Sequence, residues 1–479
     1  MENKKMKIIS IASIIALALT LVTATYAYFM AQTGEGKSTD IKINANTIDT
    51  FTFEAGSALN LSLNQENFAS GAGNQTGTTF AKAMLSANNK TNTATEHYYL
   101  YLNISNNTFT YSIDNNTPEI LLSIKDGSNN EITSVSGLTY KTVTDGKGAS
   151  IKGFDITKKS GLITILNNRE ITTTSSKTEE WNVTVTFVNY NSNQAGNAGK
   201  NFTAKLMIQK EEYKQTLAEY VKSQYTGTQG ENSIYYHNST LVNGAGDNSY
   251  RYAGASESVN NYICLGSDAI TCPDANLFRI IGVFGEQVKV IRAKSVGNKR
   301  LDTNNSNTWS SSSLNTYLNG EYLTSLGTLA DKILTTTWKV GGGTIANISY
   351  SVPATAYQYE VGSSASSTTN DAKIGLMYVS DYYYSASPSA WTLVGYNDSD
   401  ATKDYRAAKT TNWLYLGSDE WTISRSSDLS NIAFYVNSPG YVFDLHVASS
   451  SGVRPSFNLE SSVKYVSGSG SMSDPVRVN

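Results

Sequence analysis

Asn276-Leu277-Phe278-Arg279-Ile280-Ile281-Gly282-Val283-Phe284, a turn at Gly285-Glu286-Gln287, and Val288-Lys289-Val290-Ile291-Arg292 form the stretch whose reading decides the fold. Two runs rich in β-branched and aromatic residues flank a short Gly-containing turn, the pattern of a β-hairpin. The same signal recurs downstream. Ile374–Val379, Trp413–Leu416, Ile432–Val436 and Gly452–Leu459 read as strands, and residues 463–478 read as one more strand pair. Trp309-Ser310-Ser311-Ser312-Ser313 enters a short amphipathic helix that Gly320 closes.

Upstream of the hairpin stand Cys264 and Cys272, the only cysteines. In an exported chain, an even pair this close reads as a disulfide. Closing so short a loop contributes roughly 2–3 kcal/mol in the chain-entropy account. Two thiols alone do not complete a structural zinc site, and no nearby His or Cys supplies the missing ligands.

Residues 31–210 read as β throughout. Trp181, Val183, Val185 and Phe187 alternate onto one face, and Thr95–Ser105, Glu119–Lys125 and Phe202–Ile208 are further strands. Pieces around Ile41–Phe53 and 138–156 add more. Short antiparallel strands with polar turns suggest a jelly-roll or immunoglobulin-like sandwich. Between this region and the next, Tyr213, Leu217, Tyr220 and Val221 share one helical face, which predicts a connecting helix over Glu211–Tyr225. It reads either as a spacer or, because its apolar stripe needs a surface to cover, as a helix packed on the second domain.

Composition agrees with β. Charged residues are 16%, low against an ordinary figure of about 25%, while Tyr alone contributes 31 residues. Thr, Tyr and Val suit pleated surfaces, and Asn, Gly and Ser supply turns. Net charge is -3 with no basic stripe after the first few residues, which argues against nucleic acid as a partner.

Lys4, Lys5 and Lys7 precede Ile8–Met30, which carries no charge. Such a segment directs the rest of the chain across a membrane, with the N-terminus left on the cytoplasmic side. Its 23 residues would span about 34 Å as a helix, enough to cross a bilayer. Two outcomes stay open. Signal peptidase cuts between Ala27 and Tyr28, with Thr25 at the -3 position, or residues 8–30 stay in the membrane as an anchor. A buried core helix lacks support because no amphipathic face is visible. A pilin-type prepeptide is also disfavoured, since no acidic residue sits inside the apolar run.

The ending Ala18-Leu19-Thr20-Leu21-Val22-Thr23-Ala24-Thr25-Tyr26-Ala27-Tyr28-Phe29 resembles the export signals of the camelysin-type family of biofilm-matrix and cell-surface proteins. The Trp181-x-Val183-x-Val185-x-Phe187 strand and the Gly199-Lys200-x-Phe202 return strand resemble the β-sandwich that follows those signals. The resemblance brings no functional residue. His97 stands alone, without a His-Glu-x-x-His helix, so no proteolysis is implied, and it reads as a surface or edge residue.

The C-terminal region resembles a widespread bacterial extracellular domain of unknown function. The shared pieces are Phe278-Arg279-Ile280-Ile281-Gly282-Val283-Phe284, Trp309-x4-Leu314-Asn315-x-Tyr317-Leu318-Asn319, Asn412-Trp413-Leu414-Tyr415-Leu416, Gly452-Val453-Arg454-Pro455-Ser456-Phe457-Asn458-Leu459 and the closing Gly468-Ser469-Gly470-Ser471…Asp474-Pro475. That domain is distantly similar to C-type-lectin-like and formylglycine-generating-enzyme-like folds, which implies an α+β architecture. The reactive cysteine pair of the latter is not recognisable, because Cys264 and Cys272 lie at the domain's entrance. The calcium-and-sugar triplets of lectins are not visible either.

The implied organisation is residues 1–30 as signal peptide or anchor, 31–210 as β-sandwich, 211–239 as helical connector and 240–479 as a C-type-lectin-like domain. Individual side chains offer weak chemistry. Arg454 reads as a structural arginine paired with a carboxylate or carbonyls beneath a loop, with ligand binding as the rival. Asp398, Asp400 and Asp404 lack the Gly and terminal Glu of an EF-hand and read as a solvated loop. His237 and His446 have no carboxylate at metal spacing. Among Tyr382, Tyr383, Tyr384, Trp391, Trp413, Tyr415 and Trp421, most read as core, with one or two left to line a sugar-stacking groove. No catalytic, cofactor or metal signature emerges. The function implied is an exported cell-envelope protein, membrane-anchored or secreted, with a structural, adhesive or matrix role and no evident catalysis. Alternatives are a surface protein that binds cell-wall or host glycan through the C-terminal domain, and an extracellular enzyme with an unrecognised site. Another surface protein is the remaining partner class.

Overall fold

Alternation along the strand Ser176–Phe187 sends Trp181, Val183, Val185 and Phe187 inward, where all four are buried. The computed structural model describes residues 49–68, 71–87 and 93–479. The export segment, with the cleavage point Ala27/Tyr28 and the membrane contact of residues 8–30, lies outside the described residues, as does the start of the Ile41–Phe53 strand. Among the described residues, no helix is long and apolar enough to cross a membrane. The chain is mainly β and divides into two compact units, between Tyr213 and Lys214.

In the first unit, a six-stranded sheet runs Thr50–Ala55, Gln75–Ser86, Ser176–Phe187, Ile120–Asp126, Ser150–Asp155, Tyr140–Thr144. A four-stranded sheet runs Leu59–Ser62, Asn201–Gln209, Ala94–Asn107, Gly161–Thr173. Every pairing in both sheets is antiparallel. Ile120, Leu122 and Ile124 of one sheet share a single core with Leu100, Leu102, Ile104 and Phe202 of the other. Burying these apolar side chains is the main stabilising contribution, at about 25 cal/mol per Å² removed from water. His97 lies on Ala94–Asn107 with its ring half exposed, 3.6 Å from Glu170 on the neighbouring strand.

In the second unit, the stretch 276–292 folds as Leu277–Phe284 paired antiparallel with Gln287–Arg292. Gly285 turns the chain at φ 65°, a left-handed value that favours glycine. Leu277–Phe284 lies inside a nine-stranded sheet that also takes in Ser456–Leu459, Tyr262–Cys264 and Val476–Val478. A five-stranded sheet is built on Glu420–Arg425, Ile432–Val436 and Val442–His446. Cys264 and Cys272 form a disulfide with an S–S distance of 2.02 Å.

Four expectations are corrected. The connecting helix is shorter, Leu217–Ser223, because Thr216 and Glu219 form a capping box that fixes its start. Leu217, Ala218 and Val221 are buried in the core of the second unit and Tyr220 stacks on Tyr465 at 3.9 Å, so the helix is part of that unit. Of Ile374–Val379, only Ile374–Gly375 is strand, and Val379–Tyr384 is a helix entered where the Asp381 carboxylate accepts the Tyr378 N–H at 2.8 Å. Trp413–Leu416 is turn rather than strand, since the Asn412 side chain accepts the Leu414 N–H at 2.9 Å. The helix expected to end at Gly320 instead continues through Leu318–Tyr322 into Leu323–Ser325.

Candidate functional site

Arg454 sits between the strands Ser450–Gly452 and Ser456–Leu459 and is 1% exposed. Its guanidinium donates to both Glu420 carboxylate oxygens, one at 2.8 Å, and to the Leu414 carbonyl at 2.6 Å. Burial pushes the Glu420 carboxyl up, and Arg454 opposes it. This arginine is therefore committed to the interior, not offered to a ligand. Arg279 was not expected to matter, yet it fills a similar role. It lies between the rings of Tyr262 and Trp413, at 4.2 and 4.6 Å, and donates to Asn261 and to main-chain carbonyls.

The three aspartates do not converge. Asp404 is fully buried rather than solvated, accepting from the Arg406 guanidinium at 2.6–3.0 Å and from the Asn397 N–H. Asp400 accepts from Thr402 through its N–H and hydroxyl, which lowers its pKa. Asp398 is exposed. Among the described residues, no group of three or more metal-ligating side chains comes together.

His237 is fully buried against Tyr384 and Trp391, ring centroids 4.9 and 5.1 Å away. Its Nδ1 accepts the Ala245 N–H at 3.0 Å, which leaves the proton of the neutral ring on Nε2. Burial, followed by the positive charge of Arg251, holds its pKa well below the ordinary value, with Asp247 pulling the other way. A base whose folded pKa is depressed contributes stability above the unfolded pKa of about 6.5 and loses it as pH falls towards the folded value. Glu360 and Glu420, raised by burial, act in the opposite sense. The effect is therefore read as a difference. The stability gap between wild type and His237→Gln should shrink by about 1.4 kcal/mol per pH unit below about 6.5. Denaturant titrations of both proteins between pH 7 and 5 measure it, and parallel curves would show that His237 does not titrate. His446, by contrast, is exposed and meets only Asn431 and a backbone N–H.

Of the aromatics singled out in the sequence, Tyr382, Tyr383, Tyr384, Trp391, Trp413 and Trp421 are buried. Tyr415 is half-buried, with its hydroxyl donated to the Ser438 carbonyl. The aromatic surface is built from four others. Tyr350 is 42% exposed, and Tyr396, Tyr441 and Phe443 are half-buried around it. Tyr396 packs on Tyr441 at 4.8 Å and on Phe443 at 4.7 Å, and Tyr350 lies 6.0 Å from Tyr396. The Arg406 guanidinium lies 5.2 and 5.3 Å from the rings of Tyr396 and Tyr441 and is itself fixed by Asp404. The face is positioned by backbone. Tyr396 N–H donates to the Ser349 carbonyl, and Val442 N–H donates to Gly395. Gly395 has no room for a side chain, because a Cβ there would lie 1.8 Å from the Tyr383 hydroxyl.

Carboxylates border this face. Asp398 hydrogen-bonds the Tyr396 hydroxyl and thereby raises its pKa. Partial burial, with Asp398 and Asp444 adding to it, raises Tyr350 as well. These partly exposed rings, tilted to one another, offer apolar contact beside carboxylate acceptors, the chemistry that meets a sugar's apolar C–H faces and hydroxyl donors. Neither Tyr396 nor Tyr441 stands out in the sequence. The available signal is that each follows a glycine, Gly395 and Gly440, in a turn-rich segment. No protein-family model and no curated protein sequence matches this chain.

Proposed function

We propose that this chain is an exported cell-envelope protein with a structural, adhesive or matrix role, and that its adhesive contact is with carbohydrate. Export is supported by the Lys-led apolar segment over residues 8–30, which tethers the protein if it is not cut at Ala27/Tyr28. The disulfide between Cys264 and Cys272 suits an oxidising compartment. The two antiparallel sheets of the first unit support a sandwich of the camelysin-like kind. The mixed strands and short helices of the second support a C-type-lectin-like domain.

The observation that carries the carbohydrate reading is the Tyr350–Tyr396–Tyr441–Phe443 face with Asp398 and Asp444 beside it. The partner class is a cell-wall or host glycan. The test applies the purified full chain to a glycan array and to insoluble cell-wall polysaccharide, with Tyr396→Ala and Tyr441→Ala alongside. Each ring should contribute about 0.5–1.5 kcal/mol, so each variant should bind roughly 2- to 13-fold more weakly. Absence of any retained glycan, or retention of both variants equal to that of wild type, sinks the carbohydrate reading.

A further inference from the structure

Behind the aromatic core of the second unit, Lys289 and Asp381 meet in an enclosed site. Lys289, on the strand Gln287–Arg292, is 5% exposed, and Asp381, on the helix Val379–Tyr384, is 3% exposed. The ammonium lies 2.5 Å from Asp381 Oδ2. The rings of Tyr378, Trp338 and Phe284 surround it at 4.5, 5.3 and 5.9 Å. Arg251 stands on the other side, 3.9 Å from Asp381 Oδ1, and keeps Asp247 at 2.6 Å as its own counter-ion. Glu360, buried beside this helix, accepts the Val379 and Ser380 N–H groups and the Ser424 hydroxyl.

We infer that Lys289 and Asp381 form an intramolecular amide bond between Nζ and Cγ. A buried ion pair is costly, because two charges leave water and one short contact must offset both desolvations. Moving one proton across the 2.5 Å contact gives an amine and a carboxylic acid and removes both charges from this buried site. Burial lowers the Lys289 pKa in keeping with this, although Asp381 opposes it. The amine and the carboxyl group are then held in contact, and effective molarities for well-placed groups, about 10⁵–10⁸ M, offset the unfavourable condensation seen between free reactants.

The step balances without any added reagent. The Lys289 nitrogen attacks Cγ, and the developing charge falls on Oδ1, which faces Arg251. Oδ2 holds the proton it received from lysine, takes a second from the same nitrogen and leaves as water, which gives up the hydrogen bond it accepts from the Tyr378 N–H at the helix entrance. Ammonium plus carboxylate become amide plus water, with no oxidation or reduction. The two buried charges vanish, and Arg251 stays paired with Asp247. The product ties the central hairpin to a helix that follows 92 residues later, a covalent brace suited to an exported protein under mechanical or proteolytic stress.

Mass spectrometry of the full chain, denatured and reduced, tests this directly. After the mature N-terminus is determined, the protein should be lighter than its sequence by one water, about 18 Da, the leaving group of the condensation. Tryptic digestion should leave Lys289 uncut and recover a branched peptide joined at Asp381. Lys289→Arg should show the full sequence mass. Asp381→Asn should reach the same final mass as wild type, by loss of ammonia, if it condenses. If a variant does not fold, the wild-type digest alone decides. Linear peptides cleaved after Lys289, together with an undiminished mass, overturn the proposal and leave an ordinary buried ion pair.

Discussion

Arg454→Met is expected to destabilise the C-terminal unit by about 3–5 kcal/mol, the cost of leaving a buried charge without its partner. Glu420 is 2% exposed, and its salt-bridge partner is Arg454. The Leu414 carbonyl would lose its 2.6 Å donor at the same time. The pair's net worth is a separate quantity, since desolvation offsets most of the attraction. Arg454→Met combined with Glu420→Leu should therefore recover most of the loss, as apolar replacements of similar volume often do. Urea titrations of the two single variants and the double variant separate these effects. Additive losses in the double variant would show that the two side chains act independently. A merely surface-exposed arginine would cost less than about 1 kcal/mol, so the measurement also distinguishes the interior role from a ligand-binding one.

How much of this was legible in the sequence depends on whether the signal was local. The hairpin over 276–292 was legible because both runs are apolar and the turn carries glycine. The Ser176–Phe187 strand was legible from its alternation. The disulfide followed from counting. Other elements were decided by partners far away. Val379–Tyr384 has strand-like composition, yet it is a helix because Asp381 caps the Tyr378 N–H and pairs with Lys289. Trp413–Leu416 looks like a strand, but Asn412 turns it. The capping box Thr216-x-x-Glu219 was present in the sequence and would have set the helix start correctly. The aromatic face could not be read in advance. Its four rings come from three separated segments, at 350, 396 and 441–443, and only the fold brings them together. The Lys289–Asp381 site is hidden for the same reason, its members lying on a strand and a helix far apart in the chain.

Trp413→Ala is expected to cost about 3–5 kcal/mol of stability, the range for deleting a buried large aromatic, and to leave glycan retention per folded molecule unchanged. Trp413 belongs to a motif that invites a sugar-stacking interpretation, but its ring is 1% exposed. One face covers the Arg279 guanidinium at 4.6 Å, and Nε1 donates to the Tyr252 carbonyl at 2.8 Å. Removing it opens a cavity and uncovers a buried cation whose other face is held by Tyr262. Trp413→Phe separates the two contributions. It keeps an aromatic surface over Arg279 but leaves the Tyr252 carbonyl without its donor, which should cost only about 1–3 kcal/mol. Thermal and urea unfolding rank the variants, and polysaccharide retention is scored at a temperature where all remain folded. A ring on a binding surface would give the reverse pattern, with little loss of stability and weakened retention. That pattern is the one expected of Tyr396 and Tyr441, so the pair of measurements places each aromatic side chain in the core or on the recognition face by its effect.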